Sequence, residues 1–325
     1  MHDVCVIRET PLEMHSPASI TSRPARSGAD FLLSVMYQTG YLVPKDMNRA
    51  WSLCKRAATK GDTHAQMTLK TIIERSDRSN PFFQSSLEWF VKSDKCHVPE
   101  GWHHAAVVLA TDETEDNVDQ ILVLYKRASR SGYLPSINNL ALYLARQGRH
   151  REAYRHFERA ACAGYKLSQF NLLLMHLDGT APDCNPVDSY KRLEQLAFDL
   201  FAPAQHKLAE LYLTGTVVRK NYRLAHKYFT LAAAQGFAAS RLALVELRLD
   251  SESPFHNDDS AFFECAKLAM ESIPVAQFLL AQLCHCGRGT KRDLDMALFW
   301  CALAAENGLA EARAWLEENE YLSRN

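Results

Sequence analysis

Apolar residues recur at helical spacing along the chain, and small residues interrupt them at regular intervals. In the stretch 204–215, one face of a predicted helix carries Leu208, Leu211 and Tyr212. In the stretch 293–316, the small residues stand at offsets 0, 8, 11 and 15, where they are Ala297, Ala305, Gly308 and Ala312. Small residues at fixed places let neighbouring helices approach closely, to about 8–10 Å between axes.

The same template repeats with a period of about 36 residues. Its first positions are Ala50, Leu87, Ile121, Ala153, Ser189, Ala225, Ala261 and Ala297, separated by 37, 34, 32, 36, 36, 36 and 36 residues. A fixed period in the range of roughly 20–50 residues is typical of a helical array. We therefore predict eight units, each made of a first helix, a loop and a second helix.

Residues at the predicted helix ends agree with this layout. Aspartate or asparagine stands four residues before most first positions, where its side chain can accept the free N–H groups of a helix start. These residues are Asp46, Asn117, Asn185, Asn221, Asn257 and Asp293. Offset 11 is often glycine, which suits the left-handed residue that ends a helix. These glycines are Gly61, Gly132, Gly164, Gly236 and Gly308.

The repeats resemble the Sel-one-like repeat (SLR) family, relatives of the tetratricopeptide repeat with a longer loop between the helices. The stretches "LAELYLTGTVVRKNYRLAHKYFTLAAAQG" and "LAQLCHCGRGTKRDLDMALFWCALAAENG" carry the resemblance. It implies an all-α fold, an α-solenoid of about eight antiparallel helical hairpins in a right-handed superhelix. We expect a flexible tail over 1–28 and a single solenoid over 29–325 with a C-terminal capping helix. The second unit departs from the pattern at Leu87 and Lys95, where small residues belong.

Composition narrows the functional classes. The 37 basic and 38 acidic residues give a net charge of -1, so no global field attracts nucleic acid. The apolar runs are too short to span a membrane, and the N-terminal stretch lacks the pattern of a secretory signal. Nine cysteines without such a signal indicate reduced thiols, so we predict a cytoplasmic protein.

The resemblance implies a scaffold or adaptor that binds a peptide or partner protein on a concave face, without catalysis or a cofactor. The first helices would line that face. Carrying over the groove positions of tetratricopeptide relatives gives the candidates Asn138, Asn139, Asn171, His206, Lys207, Glu210, Glu246, Gln282 and His285. Polar residues there could hydrogen-bond an extended segment of a partner.

Two alternatives remain open at this point. The stretch "CHCGRG", with Cys284, His285 and Cys286, suggests an enzyme or a metal or thiol site built on the solenoid. No second ligand pair with zinc-like spacing accompanies it, which favours packed thiols. A structural spacer is the other alternative. The adjacent His103 and His104 are predicted to be surface residues, because neighbouring helical side chains point about 100° apart.

Overall fold

The computed structural model describes residues 26–75, 77–94, 96–111, 117–183 and 186–318. It is 75% helical, with 17 helices and no strand in these ranges. The predicted all-α fold of helical repeats is therefore confirmed. The chain divides into two compact units, Met1–Leu140 and Ala141–Asn325. The prediction of one continuous solenoid stays a prediction.

Unit 1 contains three helical hairpins. Its helices are α1 (Arg26–Thr39), α2 (Met47–Thr59), α3 (Thr63–Glu74), α4 (Phe83–Lys92), α5 (Pro99–Thr111) and α6 (Val118–Arg130). Helix α7 (Leu134–Arg146) contains the boundary between the units. Consecutive helices pack together, and α3 also packs on α5. Helix α1 begins three residues before the predicted start at 29, and residues 1–25 of the predicted tail lie outside the described residues.

Unit 2 continues the same order of helices. These are α8 (His150–Cys162), α9 (Lys166–Leu177), α10 (Pro186–Phe198), α11 (Ala202–Thr214), α12 (Tyr222–Ala234), α13 (Ala238–Leu249), α14 (Asp258–Met270), α15 (Pro274–Cys286), α16 (Leu294–Glu306) and α17 (Ala310–Glu318). Each helix from α8 onwards packs on the next. Helix α17 closes the array on α16 and exposes Glu311, Glu317 and Glu318 to solvent.

The small positions of the template lie where the helices pack. All eight first positions are buried, including Leu87 and Ile121. The eight residues at offset 15 are buried as well, from Ala65 to Ala312. Offset 8 is less uniform, because Ala161 and Ala233 are half-buried. Lys95, the residue at offset 8 of the second repeat, lies outside the described residues.

Four of the predicted caps are confirmed. The side chains of Asp46, Asn221, Asn257 and Asp293 accept backbone N–H groups in the first turns of α2, α12, α14 and α16. Helix α6 begins directly after Asn117, as predicted, but the side chain of Asn117 makes no capping bond. Its backbone is helical rather than extended, and its Nδ2 donates to the carbonyl of Leu109 at 3.3 Å. Asn185 lies outside the described residues.

Seven of the eight residues at offset 11 are left-handed, including two that are not glycine. The five glycines at offset 11 have φ between 80° and 94°. Leu200 and Ser272 occupy the same offset in the fifth and seventh repeats, with φ of 59° and 62°. The geometry of the repeat therefore holds two side chains in a backbone region that disfavours them.

The second repeat accommodates its large residues through one glycine. Phe90 of α4 is fully buried, and its ring lies against the α-carbon of Gly101 in α5. A Cβ at Gly101 would overlap this ring. The room that small residues supply elsewhere is supplied here by Gly101, which lies on the facing helix.

Candidate partner-binding surface

A network of polar side chains lies on α11 and α13 in unit 2. His206 directs Nδ1 at the Ser240 hydroxyl, 2.8 Å away, and Nε2 at the Glu210 carboxylate, 3.2 Å away. Lys207 reaches the other oxygen of Glu210 at 3.2 Å. Glu246 is exposed, and it lies close enough to His206 and Glu210 for their charges to affect its pKa. Four of the predicted candidates therefore form one cluster.

Helix register and aromatic packing position this cluster. His206 and Glu210 are four residues apart on α11, so they share a face of the helix. The His206 ring packs against Phe229 and Phe237, with centroids 5.2 and 5.3 Å away. Ser240 stands at offset 15, a fully buried position, so its hydroxyl is a fixed partner for the imidazole. The network is therefore held in place before any partner binds.

The two carboxyl groups differ in electrostatics. Burial raises the pKa of Glu210, whereas the hydrogen bond from His206 and the charge of Lys207 lower it, and the net pKa is lowered. The pKa of Glu246 is raised, chiefly because surrounding protein atoms desolvate the carboxylate, and the charge of Glu210 adds to this. Glu246 forms no ion pair within the described part of the chain, so it is the under-compensated charge of the cluster.

Hydrogen bonds from side-chain amides link consecutive helices in several repeats. The residue at offset 16 is often glutamine. Its side-chain Nε2 donates a hydrogen bond to the backbone carbonyl at offset 8, on the preceding helix. These hydrogen bonds run from Gln66 to Ala58, from Gln169 to Ala161, from Gln205 to Ala197 and from Gln277 to Ala269, with N···O distances of 3.0–3.3 Å. In the last repeat, Arg313 Nε donates to Ala305 in the same way at 3.2 Å. The sequence interpretation missed this ladder, although the glutamines recur in register.

The other candidates do not join the cluster. Asn138 and Asn139 belong to unit 1, where Asn138 is fully buried and donates to Asn139 Oδ1 at 3.3 Å. Asn171 in unit 2 is 9% exposed. As a correction, Asn138 and Asn171 therefore present little surface to a partner. Both stand on helix faces that pack against neighbouring helices, which the carried-over groove positions did not capture.

Gln282 and His285 lie on α15, one repeat further along. Gln282 is exposed at the repeat position that Glu246 occupies on α13. His285 is half-buried, with its ring 5.4 Å from that of Trp315, and its Nδ1 is buried without a hydrogen-bond partner. Gln282 thus extends the polar surface, whereas His285 packs against the closing helix.

The "CHCGRG" stretch mainly joins two repeats. Arg288 donates to both carboxylate oxygens of Asp258, at 2.6 and 3.3 Å, and to the carbonyl of Leu249 at 2.6 Å. Gly289 lies so close to the backbone of Asp258 that a Cβ there would overlap it. Cys284 is buried, as its register predicted, whereas Cys286 is exposed. Among the described residues, no three His, Cys, Asp or Glu side chains are grouped as a metal would need.

Burial acts against a reactive thiolate at Cys284. Burial raises the pKa of its thiol, and the charge of Asp293 raises it further. A thiol with a raised pKa is a poor nucleophile and a poor metal ligand at neutral pH. Seven of the nine cysteines lie among the described residues, and all seven are free there. Cys5 and Cys184 lie outside them.

The prediction for His103 was wrong. Its ring is 8% exposed, and Nδ1 lies 2.9 Å from the Ser136 hydroxyl. Burial lowers the pKa of His103 to about 3, with a contribution from His104. His103 packs between repeats because it stands in the third repeat at the position where other repeats carry the bracing glutamine.

Unit 1 exposes apolar residues at the positions that carry the polar cluster in unit 2. Leu32, Val35 and Met67 are exposed, and they occupy the repeat positions of Lys207, Glu210 and His206. The candidates named from the sequence are all polar and do not include these residues. Their signal in the sequence was a break in the repeat pattern, since apolar residues replace polar ones at equivalent positions.

Comparison with known proteins agrees with this architecture. The family model described as Sel1 repeat matches residues 27–62, 135–165, 202–237 and 274–309. The family model thus finds four Sel1 repeats in this chain. The third of them contains His206, Lys207 and Glu210, and the fourth contains Gln282 and His285. Sel1-repeat proteins are generally protein-interaction scaffolds, and the Sel1-repeat fold is typically non-enzymatic.

One solved structure of a Sel1 repeat protein shares this fold. A Sel1 repeat protein from Oxalobacter formigenes superposes with a TM-score of 0.59 at 18% identity, over 90% of this chain and 86% of that chain. A protective antigen of uropathogenic Escherichia coli that displays an SLR fold gives a TM-score of 0.48 at 24% identity, over 91% of this chain and 72% of that chain. The first of these likenesses supports the fold.

One curated relative is similar over part of its length. The chitin synthase regulator SKT5 of Saccharomyces cerevisiae is 30% identical over 171 residues, which are 48% of this chain and 23% of the regulator. The chain thus matches about a quarter of that protein.

Among the helices of the described ranges, none is long and apolar enough to cross a bilayer.

Proposed function

We propose that this Sel1-repeat chain is an adaptor that binds a segment of a partner protein on the polar surface of α11 and α13. The observation that supports it most is the network around His206, in which Ser240 and Glu210 hold the ring while Glu246 stays exposed. A fixed set of donors and acceptors loses little conformational entropy when a partner segment adds its own hydrogen bonds. Gln282 prolongs the surface onto the next repeat.

Two further observations favour a protein partner over a small substrate. Successive repeats offer polar side chains at equivalent positions, which suits an extended segment that crosses several helices. The curated relative is named as a regulator of an enzyme, chitin synthase. We propose a cytoplasmic setting on the basis of the cysteine content.

Site-specific photo-crosslinking in the native cell tests the proposal. A crosslinker placed at Glu246 should join the chain to a partner protein, and the same crosslinker at the exposed loop residue Lys291 should not. Reversing the charges with Lys207→Glu and Glu246→Lys should abolish the crosslink at a third position, Gln282. Equal yields at 246 and 291, or a yield unaffected by the charge reversal, would contradict binding at this surface.

A further inference from the structure

Helix α1 leaves uncovered a face that is packed in the later repeats. Four residues spaced three or four positions apart share this face, which we call the uncovered face of α1. They are Ala29, Leu32, Leu33 and Met36. Ala29 is exposed and Leu32 is 51% exposed, whereas the other two are half-buried. Since the sequence 31–39 contains no charged residue, the face is apolar.

In the later repeats, the equivalent face packs against the preceding second helix. The eight residues equivalent to Ala29, at offset 15, are all buried. The equivalents of Leu33 include Leu69, Leu208 and Leu280, which are at most 1% exposed. The preceding second helix supplies the contact. The thiol of Cys265 in α14, for example, donates to the carbonyl of Ala276 in α15 at 3.3 Å.

The sequence before α1, which lies outside the described residues, continues the repeat template. Thr10 stands 36 residues before the cap Asp46, at the place of a further cap. Pro11 follows Thr10 directly, and Glu13 follows it after three residues, a combination typical of a helix start. The pattern therefore predicts a short helix that begins at Pro11 and ends before Pro17.

Met14 stands at the first position of this additional unit. All eight first positions of the described repeats are buried. Fifteen residues separate Met14 from Ala29, the separation between the first position and offset 15 in each repeat, so the chain can bring Met14 to the uncovered face. Leu12, two residues earlier, holds a position that is exposed in seven of the eight repeats, for example at Arg151 and Val187.

We propose that residues 10–16 of this chain pack on the uncovered face of α1, with Met14 directed towards it. Helix α17 covers α16 in a comparable way at the other end of the described residues, where Ala312 is fully buried. Because residues 10–16 are tethered to the helix that they cover, their effective concentration is about millimolar, and a small apolar contact suffices. The contact does not involve the polar cluster on α11 and α13, so the proposal stands independently of the proposed function.

The reactivity of a thiol at position 29 of the full chain tests the proposal. In the variant Ala29→Cys, this thiol should react with a disulfide reagent at least about tenfold more slowly than the exposed Cys162, with each site resolved by peptide mass spectrometry. Adding Met14→Asp should raise the rate at position 29 to that of Cys162, because a carboxylate disfavours burial against an apolar face. The buried Cys54 should stay slow in every variant, which shows that the first repeat remains folded.

The matched control is Leu12→Asp in the same Ala29→Cys chain. It adds the same charge two residues away, and the rate at position 29 should change by less than about twofold. Equal acceleration by the two aspartates would show that the upstream register is wrong and overturn the proposal. Equal rates at positions 29 and 162 without either aspartate would overturn it in favour of the flexible tail expected for 1–28. A slow thiol at position 29 that ignores Met14→Asp would overturn it too, and a dimeric mass in solution would then assign the face to a second copy.

Discussion

The ring of Phe90 fills the space that a side chain at Gly101 would need. Phe90 is fully buried in α4, and Gly101 lies in the first turn of α5. The glycine therefore makes the second repeat possible despite its large residues. Neither residue alone signals this pairing, because the two belong to different helices.

The variant Gly101→Ala should destabilise the second and third repeats. Helix propensity alone would make alanine stabilising by about 1 kcal/mol, but the added methyl group overlaps the Phe90 ring. Overpacking of this kind costs about 1–3 kcal/mol. Hydrogen exchange should show lost protection in α4 and α5. The double variant Phe90→Leu/Gly101→Ala should recover part of the loss, and a stabilised single variant would contradict the packing described.

Glycine should be tolerated or favoured at Leu200 and Ser272. Both side chains stand in the left-handed region, which costs a non-glycine residue about 1–2 kcal/mol. Glycine also gives the unfolded chain more conformational entropy, which offsets this gain by about 0.5–1 kcal/mol. The variants Leu200→Gly and Ser272→Gly should therefore be neutral to about 1 kcal/mol more stable. The matched change Gly236→Ala, at the same repeat position, should be destabilising. Urea unfolding midpoints measure the stability of all three variants. If Leu200→Gly and Ser272→Gly were destabilised as Gly236→Ala is, the three positions would not share the left-handed conformation.

Stability should fall on acidification because of His103. The pKa of His103 is about 3 in the folded chain and near 6.5 when unfolded, so the unfolded state binds the proton first. The contribution is fully present above pH ~6.5 and is lost as the pH falls towards 3, by about 2 kcal/mol at pH 5. The variant His103→Gln should lack this part of the pH dependence. If the variant and the unsubstituted chain lost the same unfolding free energy between pH 7 and pH 5, the burial of His103 would be contradicted.

The cysteines should separate into fast and slow thiols. Burial raises the pKa of Cys54 and Cys301 to about 11 and that of Cys265 to about 12, so these thiols should react slowly in the folded chain. Cys162 and Cys286 are exposed and should react quickly with a disulfide reagent. Replacing both by serine should remove two equivalents from the fast phase. In denaturant without reductant, all nine should titrate, and fewer would reveal disulfides.

The sequence predicted what depends on local pattern. Periodic small residues, caps such as Asp46 and glycines such as Gly236 each act within a few residues, so the helices and their order could be derived. The burial of His103 and the bond from Arg288 to Asp258 depend on which side chain a neighbouring repeat presents. His206, Lys207, Glu210 and Glu246 were each named as binding candidates, but the contacts that join them into one cluster were not predicted. Asn138 and Asn171 were expected on the surface, but both are buried, since burial depends on the helices packed around a residue and not on its place in the repeat alone.

Comparing Ala305→Leu with Glu306→Leu by hydrogen exchange tests the repeat register most directly. Ala305 is buried against Ala281, Cys301 and the closing helix, whereas Glu306 is exposed. Leucine at 305 should cost about 1–3 kcal/mol and remove protection in the last two repeats, with α1 unchanged. Leucine at 306 should cost less than about 0.5 kcal/mol. Equal destabilisation by the two variants would show that the register is wrong, and the positions assigned to the partner-binding surface would then be wrong as well.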